Sequence, residues 1–203
     1  MKIICIGRNY IDHAKELNNP LPEKPVFFLK PDTALVQNNN PFFYPDFSNE
    51  IHHEVEIVLR INRIGKHIDE RFAYRYFDEI GIGIDFTARD IQNEQRKNGL
   101  PWEIAKAFDH SAPISKFMKI DEFKNIRNLN FSLSLNNKIV QQGNTIDMIF
   151  SIDKIISYIS KFITLKIGDL IFTGTPAGVG PVKINDHLEA YIEQNKLLDF
   201  YVK

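Results

Sequence analysis

The chain has 203 residues, 43% of them hydrophobic and 25% charged, which suits one soluble domain with a well-filled core. A formal charge of −1 leaves no basic footprint for nucleic acid and no polybasic segment for an anionic membrane. The single cysteine, Cys5, cannot form an internal disulfide and fits a reducing compartment.

In chain order, a strand is predicted at 2–6, where Cys5 reads as a small buried hydrophobe in preference to a nucleophile. That apolar run is too short for a signal-peptide core and meets Arg8 at once. A helix follows at 9–17, then a strand at 26–30 inside a proline- and asparagine-rich stretch. Strands are expected at 51–61 and 80–85, with helices at 70–79 and 88–97. Thr87 and Asp90 have capping-box spacing at the start of the last of these. Strands at 129–135 and 138–141 flank Asn136-Asn137, a hairpin signal because asparagine tolerates positive φ. Ser151 caps a helix at 152–162, whose Ile152, Ile155, Ile156, Ile159 and Phe162 form an apolar stripe expected in the core. Strands at 169–173, 187–193 and 197–202 complete the set. Irregularly ordered strands with few helices predict a β-rich α+β fold. No linker or repeat divides the chain, so one domain over 1–203 is expected, and no apolar stretch approaches transmembrane length. The expectation is a soluble cytoplasmic protein.

The chemistry concentrates in a few segments. On a strand at 51–61, His52, Glu54, Glu56, Val58 and Arg60 share one face. Like charges side by side on a strand repel, so either solvent covers this face or a hard cation with oxygen ligands compensates it. Asp85, at the end of Ile80-Gly81-Ile82-Gly83-Ile84, is a third carboxylate, or else a helix cap. Three carboxylates favour Mg²⁺ or Mn²⁺ over zinc, and no zinc-type Cys/His spacing occurs. His52 and His53 point to opposite faces and stay outside the ligand set. On a short helix His13 and Glu16 sit at i, i+3, where a carboxylate can orient an imidazole base; a plain surface helix would read the same. Lys30 ends the run Phe27-Phe28-Leu29 and Lys106 lies in an apolar stretch; each is either a plain surface cation or, for Lys106, a candidate to stabilise an enolate oxygen. Thr173-Gly174-Thr175-Pro176 through Gly180 is a glycine-rich turn without the ending of a phosphate loop. It is either a plain tight turn or a source of N–H groups and Thr175 for a substrate carboxylate.

Taken together, six runs resemble the fumarylacetoacetate hydrolase family, in particular its small acylpyruvase and oxaloacetate decarboxylase type. They are Gly7-Arg8-Asn9-Tyr10 with His13 and Glu16, Phe28-Leu29-Lys30-Pro31, His53-Glu54-Val55-Glu56, Asp85-Phe86-Thr87-Ala88-Arg89-Asp90 with Gln92, Pro101-Trp102 with Lys106, and Thr173-Gly174-Thr175-Pro176. They occur in family order from residue 7 to about 180. The resemblance implies a mixed β-sandwich roll, a homodimer, and Mg²⁺ or Mn²⁺ on Glu54, Glu56 and Asp85. It also implies a water-activating His13–Glu16 dyad on a lid, a catalytic Lys106, and substrate contacts from Arg8, Lys30, Gln92 and Thr175. The short chain does not match the extra amino-terminal domain of the larger hydrolases, which weakens fumarylacetoacetate itself as a substrate.

The expected reaction is metal-dependent cleavage of a 2-oxo acid at C3–C4 through a metal-bound pyruvate enolate, either acylpyruvate hydrolysis or oxaloacetate decarboxylation. One alternative on the same scaffold is an isomerase or decarboxylase of 2-hydroxyhepta-2,4-diene-1,7-dioate type intermediates; another is a sugar-acid hydrolase. A non-catalytic metal- or ligand-binding protein is the remote alternative.

Overall fold

The structure, a computed structural model, describes residues 1–16 and 20–203. Strand Val55–Ile61 lies inside a six-stranded mixed sheet with the order Val26–Lys30, Ile3–Gly7, Leu170–Phe172, Val55–Ile61, Phe77–Ile84, Met118–Lys119. Ile3–Gly7 runs parallel to Leu170–Phe172, and the other neighbours are antiparallel. Alternation divides the sheet's side chains between two apolar layers. Ile4, Ile6, Ile57, Leu59, Ile80, Ile82 and Ile171 enter the main core. Ile3, Cys5, Val58, Leu170 and Phe172 enter a smaller one with Ala112 and Ile114. The face expected to carry mostly polar groups is therefore covered. The covering is close over Gly83, where a Cβ would stand 2.6 Å from the Phe172 ring.

The main core is closed by a four-stranded antiparallel sheet ordered Lys138–Asn144, Asn130–Leu135, His187–Ile192, Asn195–Tyr201. Its Phe131, Leu133, Leu188, Ile192 and Phe200 are buried, as are Ile152, Ile155, Ile156 and Ile159 on helix Ile152–Ser160. Each fully buried side chain of this kind contributes roughly 1.5–3 kcal/mol relative to exposure. Two facing sheets with few helices make the β-rich α+β architecture that was expected.

Local expectations hold where a single element decides them. Asn136 and Asn137 take φ of 51° and 65° in the hairpin, and Ser151 Oγ accepts Lys154 N–H at 3.3 Å. They fail where pairing overrides periodicity. The segment read as a helix over 70–79 is a 3-10 turn at Glu70–Arg75 followed by strand Phe77–Ile84. Pairing with the central strand claims 77–79, where Phe77 opposes Ile61 and Glu79 opposes Arg60. Phe162 lies past the end of its helix and is 58% exposed. The capping box does not form: Ala88 is the N-cap, and the Asp90 carboxylate accepts from Ser48 Oγ at 2.6 Å and Asn49 N at 2.9 Å. The first helix is Ile11–Glu16, and residue 17 of its predicted span lies outside the described residues.

The segment read as one strand over 51–61 breaks at Glu54. Ile51–His53 joins a three-stranded sheet with Gly180–Pro181 and Thr87–Ala88, and the six-stranded sheet resumes at Val55. Glu54 thus sits where the chain changes sheets.

Candidate active site

Strand pairing assembles the carboxylates. Val55 lies opposite Ile84 and Glu56 opposite Gly83, so the next step along the ladder sets Glu54 beside Asp85. Asp85 N–H donates to Glu54 O at 2.8 Å. Glu54, Glu56 and Asp85 are 5%, 2% and 1% exposed, and one carboxylate oxygen of each lies within 4.8 Å of the others.

Three cations surround them. Lys106 Nζ stands 2.7 Å from Glu54 Oε2 and 2.7 Å from Asp85 Oδ2. Arg89 pairs with Glu54 Oε1 and donates to Gln92 Oε1. Burial opposes ionisation of Glu54, but the charges of Lys106 and Arg89 outweigh it and hold its carboxyl below the usual range. Lys106 shows the same contest: burial favours the neutral amine, yet Asp85 and Glu54 keep its pKa above the ordinary value. For Glu56 the help is too small. Burial, then the charge of Asp85, push its carboxyl well up, against the pull of the Gly174 N–H.

Lys30 is buried behind this layer. The three protons of its ammonium are shared among Phe86 O at 3.2 Å, Ser111 O at 3.2 Å, Ser111 Oγ at 2.8 Å and Lys106 O. With its protons so directed, it lies 2.8 Å from Asp85 Oδ1 as an ion pair without hydrogen-bond alignment, and that oxygen accepts no hydrogen bond among the described residues. An unclaimed carboxylate oxygen, a Glu56 whose ionisation is opposed, and three convergent oxygen donors fit a hard divalent cation such as Mg²⁺ or Mn²⁺. A second group, His187, Glu189 and Asp199, is already ion-paired: Lys196 reaches Glu189 at 2.9 Å and Asp199 at 2.6 Å, and His187 reaches Asp199 at 2.7 Å.

The glycine-rich turn after Leu170–Phe172 folds over the carboxylates. Gly174, at φ 103°, donates its N–H to Glu56 Oε2 at 2.6 Å. Asn9 braces the turn, donating to Thr173 O at 2.8 Å and Phe150 O at 3.1 Å. Four residues on, Gly178 N–H donates to both Glu16 oxygens at 3.1 and 3.3 Å, and Glu16 Oε2 lies 3.3 Å from His13 Nδ1. The His13–Glu16 contact expected from helical spacing is therefore present. Burial lowers the His13 pKa, with Glu54 and Glu16 pulling the other way.

A narrow cleft runs over these groups. Glu54, Glu56, Asp85, Lys106, His13, Gln92, Thr175 and Arg8 all line it; Lys30 does not, and Glu16 stands behind His13. Arg8, at φ 60°, holds its guanidinium 6.0 Å from the Trp102 ring centroid at the cleft wall. Arg89 also lines the cleft, a role the residue-by-residue reading missed. Its signal was the i, i+3 spacing to Gln92 on a helix that begins beside Asp85.

The fumarylacetoacetate (FAA) hydrolase C-terminal family profile matches residues 2–201. The chain belongs to the fumarylacetoacetate hydrolase family. It is 45% identical over 201 residues to the mitochondrial oxaloacetate tautomerase FAHD1 of Mus musculus, covering 99% of this chain and 91% of that protein. It is 45% identical over 183 residues to the mitochondrial oxaloacetate decarboxylase of Dictyostelium discoideum, covering 90% and 84%. The crystal structure of fumarylpyruvate hydrolase from Pseudomonas aeruginosa, in complex with Mn²⁺ and pyruvate, superposes with a TM-score of 0.94 at 35% identity, covering 100% of this chain and 89% of that one. As in the family resemblance drawn from the motifs, the sandwich of sheets and the carboxylate cluster are both present. No helix among the described residues is long and apolar enough to cross a membrane.

Proposed function

We propose that this family member acts on a small 2-oxo acid, oxaloacetate first, through an enolate of its pyruvate unit. The observation that carries the reading is the buried cluster of Glu54, Glu56 and Asp85 with Lys106 held against it. The relatives' printed activities, oxaloacetate tautomerisation and decarboxylation, share that enolate.

In tautomerisation a proton leaves C3, the electron pair moves to the C2 oxygen, and that oxygen takes up a proton. In decarboxylation the C3–C4 bonding pair makes the same shift as CO₂ departs. Glu54, Glu56 and Asp85 would hold a divalent cation, which would supply Lewis-acid stabilisation of an enolate. Lys106, held cationic between Glu54 and Asp85, adds its charge inside a site of restricted solvent access. Arg8, Gln92 and Thr175 bind the acid from the cleft wall. Lys30 acts from behind by fixing Asp85 and the Lys106 backbone, in place of the substrate contact expected of it.

Hydrolysis of an acylpyruvate is a second reading, favoured by the His13–Glu16 dyad. His13 takes a proton from water as it attacks the C4 carbonyl, and cleavage releases a carboxylic acid and pyruvate. Such base catalysis typically contributes about 10²–10⁴-fold. A homodimer in the cytoplasm stays part of the proposal.

The test follows enol absorbance with oxaloacetate, and pyruvate formation from oxaloacetate and from acetylpyruvate, each with Mg²⁺ and with EDTA. Chelator-sensitive acceleration of oxaloacetate conversion supports the first reading; acetylpyruvate turnover alone favours the second. Inactivity on both by folded, metal-loaded protein rejects the choice of substrate.

A further inference from the structure

Gln141 lies on the second sheet, in strand Lys138–Asn144, and is 1% exposed. Its carboxamide joins the two segments that build the site. Oε1 accepts Val55 N–H at 3.0 Å and faces His53 Nδ1 at 2.9 Å, on either side of Glu54. Nε2 donates to Pro176 O at 3.0 Å and Thr175 Oγ1 at 2.9 Å.

The orientation of this amide is chemically determined. A backbone N–H only donates and a backbone carbonyl only accepts, so Val55 requires Oε1 on its side and Pro176 requires Nε2 on the other. His53 Nδ1 must then carry a proton to meet Oε1, which leaves its Nε2 unprotonated in the neutral ring. Thr175 Oγ1 must accept from Gln141. A hydroxyl has one proton and two lone pairs; with one lone pair engaged, the Thr175 proton is left for a further partner. Among the described residues no acceptor takes it, and Thr175 lines the cleft beside the carboxylates.

We propose that Gln141 is a positioning residue that makes Thr175 an obligatory donor into the cleft, aimed at a carboxylate or keto oxygen of the bound 2-oxo acid. The inference deepens, and rests on, the 2-oxo acid reading above. It also explains why a polar side chain from the far sheet is buried at the site: its amide occupies one lone pair of the hydroxyl and so turns the Thr175 proton away from itself. A ligand presenting an acceptor there is favoured, since the Thr175 proton would otherwise go unpaired in a buried site.

The test measures pyruvate binding to Mn²⁺-loaded protein by calorimetry, which does not depend on turnover. Thr175→Val, of matching shape, should weaken pyruvate on the order of 10-fold or more, as expected for a lost hydrogen bond to a charged group. Thr175→Ser keeps the hydroxyl and should stay near wild type. Gln141→Glu keeps the acceptor for Val55 but draws the Thr175 proton to itself, so it should weaken pyruvate similarly. Combined with Thr175→Val it should add little, because both remove one interaction. A double variant that loses the full sum overturns the coupling. Unchanged affinity in Thr175→Val overturns the inference outright, and that comparison stands even if Gln141→Glu fails to fold. Wild-type protein that binds Mn²⁺ but no pyruvate refutes the 2-oxo acid reading and takes this inference with it. That outcome is distinct from binding that is merely indifferent to Thr175.

Discussion

Lys30 Nζ lies 2.8 Å from Asp85 Oδ1, and both side chains are sealed from solvent. The ammonium is also tied to the backbone at Phe86, Lys106 and Ser111, so one buried cation fixes a metal-ligand candidate and the segment carrying Lys106. Lys30→Met would leave Asp85 short of a counter-charge and remove one donor each from Phe86 O, Lys106 O and Ser111 O. Removing one partner of a buried pair destabilises by about 3–5 kcal/mol. Urea unfolding should show a loss of that size, and a loss below about 1 kcal/mol would show that the pair is not structurally required. Lys30→Arg keeps the charge but should also destabilise, because a guanidinium cannot occupy the lysine's compact, multiply bonded position.

Glu56 gives the pH dependence. Its folded pKa is raised above the ordinary 4.5 by burial and by Asp85. The folded chain keeps this proton where the unfolded chain has lost it. Its contribution is therefore complete below the unfolded value and declines as pH rises through the raised folded value. Metal-free Glu56→Gln should lose that part of the slope. Added Mn²⁺ should stabilise wild type by about 2.7 kcal/mol at 100 times its Kd and do much less for Glu56→Gln. Thermal melts from acid to neutral pH, with and without Mn²⁺, check both; equal metal stabilisation in the two proteins would remove Glu56 from the ligand set.

His13 is held below the ordinary 6.5 by burial, so it remains an unprotonated base to lower pH than a free imidazole. The acid limb of kcat/KM for acetylpyruvate should therefore fall below that value. His13→Ala should reduce acetylpyruvate hydrolysis by about 10²–10⁴-fold and oxaloacetate decarboxylation less, since the latter needs no attacking water. Equal losses in the two assays would deny His13 a water-activating role.

These expectations trace back to the sequence unevenly. Glu54, Glu56, His13 and Glu16 were legible because their spacing is local, two residues on a strand and three on a helix. Even so, the two glutamates converge by a different route from simple alternation: the strand ends at Glu54, and a change of sheet turns its carboxylate toward Asp85. Asp85 itself depends on the Val55–Ile84 register, which no single segment encodes. Lys30 was placed on the substrate because the oxygens that claim it come from residues 86, 106 and 111. Gln141 gave no signal at all. It stands in a strand whose neighbours read as solvated, and its partners lie on other elements. The two-residue strands at Leu35–Val36, Thr87–Ala88 and Ala112–Pro113 are too short to show any period. Motif order across the chain supplied what periodicity could not.

Gly174 connects the backbone to the carboxylates, and a single methyl group tests that connection. Its φ of 103° lies in the region that residues with a Cβ avoid, and an added Cβ would stand 2.6 Å from Asn9 Cβ. Asn9 cannot give way easily, because its amide holds Thr173 O and Phe150 O and its carbonyl accepts Phe150 N–H at 2.7 Å. Gly174→Ala should therefore destabilise by on the order of 1–3 kcal/mol. It should also swing the N–H away from Glu56, removing a donor that favours the ionised carboxylate. Weaker Mn²⁺ binding should accompany the lower melting temperature. An alanine variant that melts early but binds Mn²⁺ as tightly as wild type would assign Gly174 to the fold alone.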